Sequence, residues 1–192
     1  EPTVSMAFYA NTSPLAGREG HFVQSAKIQE RLFKETLRNV SLRLEESPDG
    51  DAFIVKGRGE FQMAILIETM RREGYEVAVG RPQVIMRETE GKTLEPIEHL
   101  FVDCDEQFIG IVSEKLSRRK GRMINLVNHG TGRARIEFSV PARALIGYRS
   151  EFLTDTKGTG IMNSYLEGYE PYRGDFPSRL SGSLVSANRG DA

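Results

Sequence analysis

Apolar residues recur along the chain at two spacings, every second residue and roughly every 3.6, and the order in which the spacings alternate repeats once. Period two marks half-buried strands, and period 3.6 marks amphipathic helices. Residues 4–9 read as a strand, after which Ile28, Leu32, Phe33, Thr36, Leu37 and Val40 recur on one helix face. Leu42 and Leu44 alternate with charges, and the turn Ser47-Pro48-Asp49-Gly50 leads into residues 52–56 as the second arm of a hairpin. A second helix over residues 60–73 carries Phe61, Ile65, Leu66 and Met70, with Gly74 placed as its cap. Residues 84–87 close this unit as a strand.

After Gly91 the same order restarts. Residues 97–102 read as a strand, and Asp105 caps a helix bearing Phe108, Ile109, Val112 and Leu116, which Gly121 ends. Residues 122–128 and 133–140 predict a hairpin across His129-Gly130-Thr131-Gly132, with Ala134, Ile136, Phe138 and Val140 alternating against Arg133, Arg135, Glu137 and Ser139. Pro141 opens a helix aligning Leu145, Tyr148 and Phe152, weakened by Gly147 and stopped by Gly158, before a last strand over residues 161–166. Two consecutive β-α-β-β-α-β units predict an α+β protein. It is built as two tandem ferredoxin-like sandwiches, each a four-stranded antiparallel sheet with two helices on one face. Charges and turn residues at 90–94 predict a short linker between them. That fold fixes no function, so the site has to decide.

The composition is that of an ordinary globular chain: 192 residues, 39% hydrophobic, 28% charged and a net charge of −1. Cys104 is the only cysteine, which rules out a disulfide or thiolate metal cluster within the chain and fits a reduced, cytoplasmic setting. The sequence has neither a run of about 20 apolar residues nor a signal-peptide pattern, so a soluble protein without a membrane partner is expected. It starts at Glu1 without a methionine and ends in a Ser/Gly-rich stretch over 179–192, and it reads as a piece of a longer protein.

Candidate chemistry is sparse. The phosphate-loop pattern G-x-x-x-x-G-K-[ST] is not found, and no cofactor is expected on this chain. Gly57-Arg58-Gly59-Glu60 could feed amides toward a phosphate, but its ordinary reading is a tight strand-to-helix turn. His21, His99 and His129 lie far apart without ligand neighbours at helical spacing, so no metal site is expected. Asp103, Asp105 and Glu106 could form a general acid and base pair, or simply complement the dipole of a helix start. Phe53 and Phe138 alternate with charged neighbours as core residues do, and no RNP1 pattern of a single-strand-reading module is present.

Charge segregation is the positive signal. Residues 114–149 hold nine basic residues and two acidic ones, whereas 95–106 holds five acids and no Lys or Arg. Arg119, Arg122, Arg133 and Arg135 fall on a helix end and the adjoining hairpin, where they predict one patch. A local positive patch on a neutral chain is the footprint of a phosphate backbone, read by shape and charge rather than base sequence.

The run GRGEFQMAILIETMRREGYEVAVGRPQVIMRE at 57–88 is similar to domain III of elongation factor G, and EPIEHLFVDCDEQFIGIVSEKLSRRKGRM at 95–123 resembles its domain V. ANTSPLAGREG at 10–20, SPDGDAF at 47–53 and ARALIGYRSEFLTDTKGTGIMNS at 142–164 resemble the BipA/TypA translational GTPase family, which also lacks a domain between the two ferredoxin-like ones. The resemblance implies a domain III-like unit over 1–92, a domain V-like unit over 93–174, and the start of a family-specific C-terminal domain over 175–192. It further implies a ribosome partner, through large-subunit RNA and proteins, and a role in large-subunit assembly and stress adaptation of translation. GTP and Mg are expected only on a G domain that this chain lacks, so the chain itself is expected to be non-enzymatic. An RNA-contact role carries over to Arg118, Arg119, Lys120 and Arg122, and a hinge or interdomain role to Gly57 and Gly59. Two rivals remain. A small-molecule-sensing tandem of the ACT type would want apolar, Gly-containing loops between its modules, which the positive region does not suit; an acylphosphatase-like hydrolase would need an anion-binding loop with Arg and Asn, which neither helix-preceding loop shows.

Overall fold

A computed structural model describes residues 1–178, so the Ser/Gly-rich stretch over 179–192 lies outside the described residues. Two antiparallel sheets form in chain order. The first joins β1 (Val4–Ala10), β2 (Arg43–Glu46), β3 (Phe53–Gly57), β4 (Val77–Val79) and β5 (Gln83–Val84), with α1 (Ser25–Arg38) and α2 (Glu60–Arg72) between them. Its strand order is β2-β3-β1-β4, with β5 also pairing to β1. The second joins β6 (Arg87–Thr89), β7 (Lys92–Asp105), β8 (Arg122–Asn128), β9 (Arg133–Pro141) and β10 (Ile161–Pro171) with α3 (Ile109–Arg118), α4 (Ala142–Leu145) and α5 (Tyr148–Asp155). Here the order is β10-β7-β9-β8, with β6 pairing to β7. Both are ferredoxin-like orders in which the first strand of the unit lies inside the sheet.

Each sheet has its own core. Phe8, Ile28, Leu32, Val55, Met63 and Met70 fill the first, and Leu100, Val112, Leu116, Phe138, Tyr148 and Phe152 fill the second. Phe53 and Phe138 are core residues, as their alternation implied.

Several boundaries differ from the sequence expectation, each for a local reason. Residues 84–87 do not close the first unit as one strand. Pro82 offers no N–H to a ladder, so the closing strand is split into β4 and β5, both on β1, and Arg87–Thr89 crosses to the second sheet. The expected linker at 90–94 is a two-residue hairpin turn, in which Glu90 and Gly91 both take positive φ, 52° and 73°. Asp105 makes no cap bond; a 3-10 turn at Glu106–Phe108 precedes α3, and the Asp105 carboxylate turns to Arg133 instead. At Gly147, with φ 75°, the expected single helix breaks into α4 and α5. Finally, α1 does not bury Phe33, Leu37 or Val40. Its inner face is Ile28, Arg31 and Leu32, and the Arg31 guanidinium holds its buried place by bonding Glu73 and Glu35.

The glycine cap on α2 holds: Gly74 has φ 91°, donates to the Arg71 carbonyl and accepts the amides of His21 and Phe22.

Candidate nucleic-acid interface at the end of α3

The last turn of α3 closes as a Schellman motif. Lys120 donates to the Ser117 carbonyl and Gly121 to the Leu116 carbonyl at 2.8 Å, with Lys120 in the left-handed conformation at φ 66°. Expectation had put the glycine at the turn. It sits one residue later for a different reason, since a Cβ on Gly121 would lie 2.8 Å from the Leu116 carbonyl oxygen. Arg173 braces the loop from outside, donating to the carbonyls of Lys120 and Ser139 at 3.0 Å each. The chain therefore turns tightly from α3 into β8 and presents Arg118, Lys120 and Arg122 on the exposed side.

Not all six candidate bases share that surface. Arg119 donates to the Ala144 carbonyl at 2.8 Å and to Glu151 at 3.0 Å, with its guanidinium facing the Tyr148 ring. Arg133 is held by Asp103 at 2.8 Å, by Asp105 and by the Thr159 carbonyl. Neighbouring bases are committed in the same way: Lys115 bridges Glu151 and Asp155, and Arg143 bonds the fully buried Glu95. Much of the positive run is thus neutralised by acids distant in sequence. The acidic cluster 103–106 is explained too, as Asp103 and Asp105 are partners of Arg133 and not an acid and base pair.

Four candidates stay accessible. Arg118 pairs only with Glu114 across an exposed helix turn, a contact of small worth that a phosphate can replace. Lys120 and Arg122 have no side-chain hydrogen bond or ion pair among the described residues. Arg135 stands on the outer sheet face, its Cζ 4.7 Å from the centre of the Phe101 ring. Lysine in the left-handed region costs about 1 kcal/mol, and strain of this kind is retained where the surroundings or a function require it.

The outer face also holds residues that sequence reasoning passed over. His99 and Phe101 alternate with buried Leu100 and Val102 on β7 and so point away from the core, while Tyr165 lies opposite His99 on β10. The three rings form one cluster, with His99 and Tyr165 stacked at 5.2 Å. The parity of β7 carried the signal, but it needed the β10 register to become a cluster.

The glycine pair placed at the module boundary divides. Gly57 is closed in, as a Cβ there would meet Gln62 at 2.6 Å and Met63 at 2.7 Å. Gly59 is open, and the next residue, Glu60, reaches across to accept the Gly147 amide at 3.0 and 3.1 Å. Arg149 lies over the Phe61 ring beside this contact. Gly91-Lys92-Thr93 imitates the end of a phosphate loop, but Met86 stands where the motif needs its first glycine and the segment is a β-hairpin with no helix after it.

Comparison with known proteins finds similar chains. Residues 92–180 match the family "Elongation factor G C-terminus". Over its whole length the chain is 50% identical to the large ribosomal subunit assembly factor BipA of Escherichia coli (strain K12) and 47% identical to that of Bacillus subtilis (strain 168). By sequence the chain is similar to a part of the BipA factors. It spans about a third of the length of these relatives, 32% in each case. A crystal structure of a Thermus thermophilus protein shares the fold, with a TM-score of 0.57 over 90% of this chain and 41% of that one at 15% identity.

Replacing Lys120 by Gly relieves the left-handed strain, so Lys120→Gly should stabilise the chain by up to about 1 kcal/mol in urea denaturation; an unchanged or lowered stability would show that the turn holds Lys120 there at no cost. Glu151 is held below the usual carboxylate range by its hydrogen bond to Lys115, with Arg119 adding to the effect. A depressed folded-state value means its contribution is present above the unfolded range near about pH 4.3 and is lost as pH falls through the folded value. Glu151→Gln should accordingly flatten the acid limb of the stability profile, measured by thermal melts between about pH 7 and about pH 3.

Proposed function

We propose that this chain is the ribosome-binding, non-catalytic part of a BipA-like translational GTPase that serves large-subunit assembly and the adaptation of translation to stress, in the cytoplasm. Its partners are large-subunit RNA and proteins. GTP and Mg belong to a G domain outside this chain. On this reading residues 1–92 and 93–174 act as two docking domains resembling domains III and V, with 175–192 opening a further one. Gly59 and the Glu60 contact to Gly147 set their relative orientation, and Gly57 is a packing residue of the first.

The observation that carries the reading is the exposed tip at 118–122. Lys115, Arg119, Arg133 and Arg143 of the second module are tied to carboxylates, whereas Lys120 and Arg122 stand exposed at the tip beside Arg118 with no such partner among the described residues. A polyanion supplies what is missing, through phosphate contacts that make affinity fall with salt. Arg118, Lys120, Arg122 and Arg135 form this interface, whereas Arg119 and Arg133 act by holding the scaffold. Clefts lined by residues of both modules have volumes of about 190, 450 and 590 Å³, with Arg58 and Glu98 in the first two and Arg119, Arg143 and Glu151 in the third.

The test is binding of the 192-residue chain to purified large ribosomal subunits across a salt titration. Lys120→Glu with Arg122→Glu should lower affinity and reduce the salt slope by roughly one unit per lost phosphate contact, with the melting curve unchanged. Arg71→Glu with Arg72→Glu is the charge-matched control on the first module, since both bases are exposed and bonded to Glu68. Equal losses in the two variants would spread the affinity over both modules and contradict the assignment to the tip.

A further inference from the structure

The sheet of the second module has one face packed on α3, α4 and α5 and one face bare. On the bare face lie His99 and Phe101 of β7, Arg135 and Glu137 of β9, Asn125 of β8 and Tyr165 of β10. Three rings on adjoining strands within 4.7–5.9 Å of one another are an unusual use of an exposed sheet face. They are not there to fill a core, because Tyr165 is 52% exposed.

From this juxtaposition we propose a second contact of different chemistry: the outer sheet face takes an unstacked base of single-stranded RNA on the Tyr165 ring, with Arg135, over the neighbouring Phe101 ring, for the phosphate backbone.

The geometry supplies each part. His99 backs Tyr165 at an interplanar angle of 6°, so the tyrosine ring is held flat on one side and open on the other. Glu137 fixes the imidazole through a 3.2 Å contact to Nε2 and is itself held by Asn125 at 3.0 Å. The guanidinium of Arg135 covers Phe101, which leaves its charge toward solvent. The carboxylates of this face are engaged, Glu137 as described and Asp103 by Arg133, and Glu167 approaches His99 Nδ1 at 3.8 Å. Base stacking on aromatic rings is tolerant of sequence, and a positive side chain beside the ring tracks the backbone. A duplex keeps its bases inside the stack and has nothing to offer the ring, so the occupant is a loop, bulge or unpaired end. The proposal rests on the ribosomal RNA reading above and assigns that partner a single-stranded element.

The probe is a short unpaired oligoribonucleotide carrying 2-aminopurine, whose fluorescence falls when the base stacks, titrated into the 192-residue chain. Saturable quenching is expected, with affinity reduced about five- to one-hundred-fold in Tyr165→Ala and kept within about twofold in Tyr165→Phe, which retains the ring. Tyr165 is exposed, so both variants should melt with the unsubstituted chain. If that chain binds large subunits with the expected salt dependence while Tyr165→Ala binds the oligonucleotide as well as the original, the stacking site is overturned and the ribosomal reading stands. A preference for duplex over the unpaired strand would also overturn it. Failure to bind either subunits or oligonucleotide would sink both.

Discussion

A charge removed from water needs an opposite charge beside it, and in the second module that requirement decides which bases are bound into the scaffold. Glu95 is fully buried on β7, and Arg143 together with the Arg173 amide neutralises it. Lys115 and Arg119 join α3 to α5 through Glu151 and Asp155, and Arg133 joins β9 to the end of β7 through Asp103. These contacts fix the helices on the sheet and leave Lys120 and Arg122 at the α3 tip without a carboxylate partner among the described residues. The proposed nucleic-acid interface is drawn from the bases that this pairing leaves over.

Much of the fold could be read from the chain because the two periodicities were clean where burial was one-sided. The β8–β9 hairpin was legible to within a residue, since buried Ala134, Ile136, Phe138 and Val140 alternate strictly with outward residues. The α1 face was misread because period alone cannot tell that Arg31 will take an inner position; the carboxylate that permits it, Glu73, comes from the end of α2, 42 residues away. The same blindness to distant partners made the basic run seem a single patch. Counting charge along the sequence gave the sign of the region, while the division into scaffold bases and free bases needed Glu151, Asp155, Asp103 and Glu95 brought beside them. The aromatic cluster was missed because its members are spread over two strands, and no local pattern joins His99 to Tyr165.

The modules meet where α2 begins and α4 gives way to α5. The Glu60 carboxylate sits on the Gly147 amide, and Gly147 is free to donate because its left-handed conformation breaks the helix there. A glycine that weakened a helix in the sequence therefore supplies the link between two cores. Phe61 and Ile65 next to this link, and Phe33 and Leu37 on α1, leave an apolar surface on the first module, in contrast to the charged tip and aromatic sheet of the second. The two modules offer different chemistry to whatever they contact.

Hydrogen exchange of the chain bound to large ribosomal subunits, read by mass spectrometry against the free chain, tests this division most directly. Protection should appear in peptides covering 118–128 and 161–166, where the free bases and Tyr165 lie, while the α1 and α2 peptides of the first module change less. Protection confined to the α1 and α2 surfaces around Phe33, Leu37, Phe61 and Ile65, with the α3 tip exchanging as in the free chain, would contradict it.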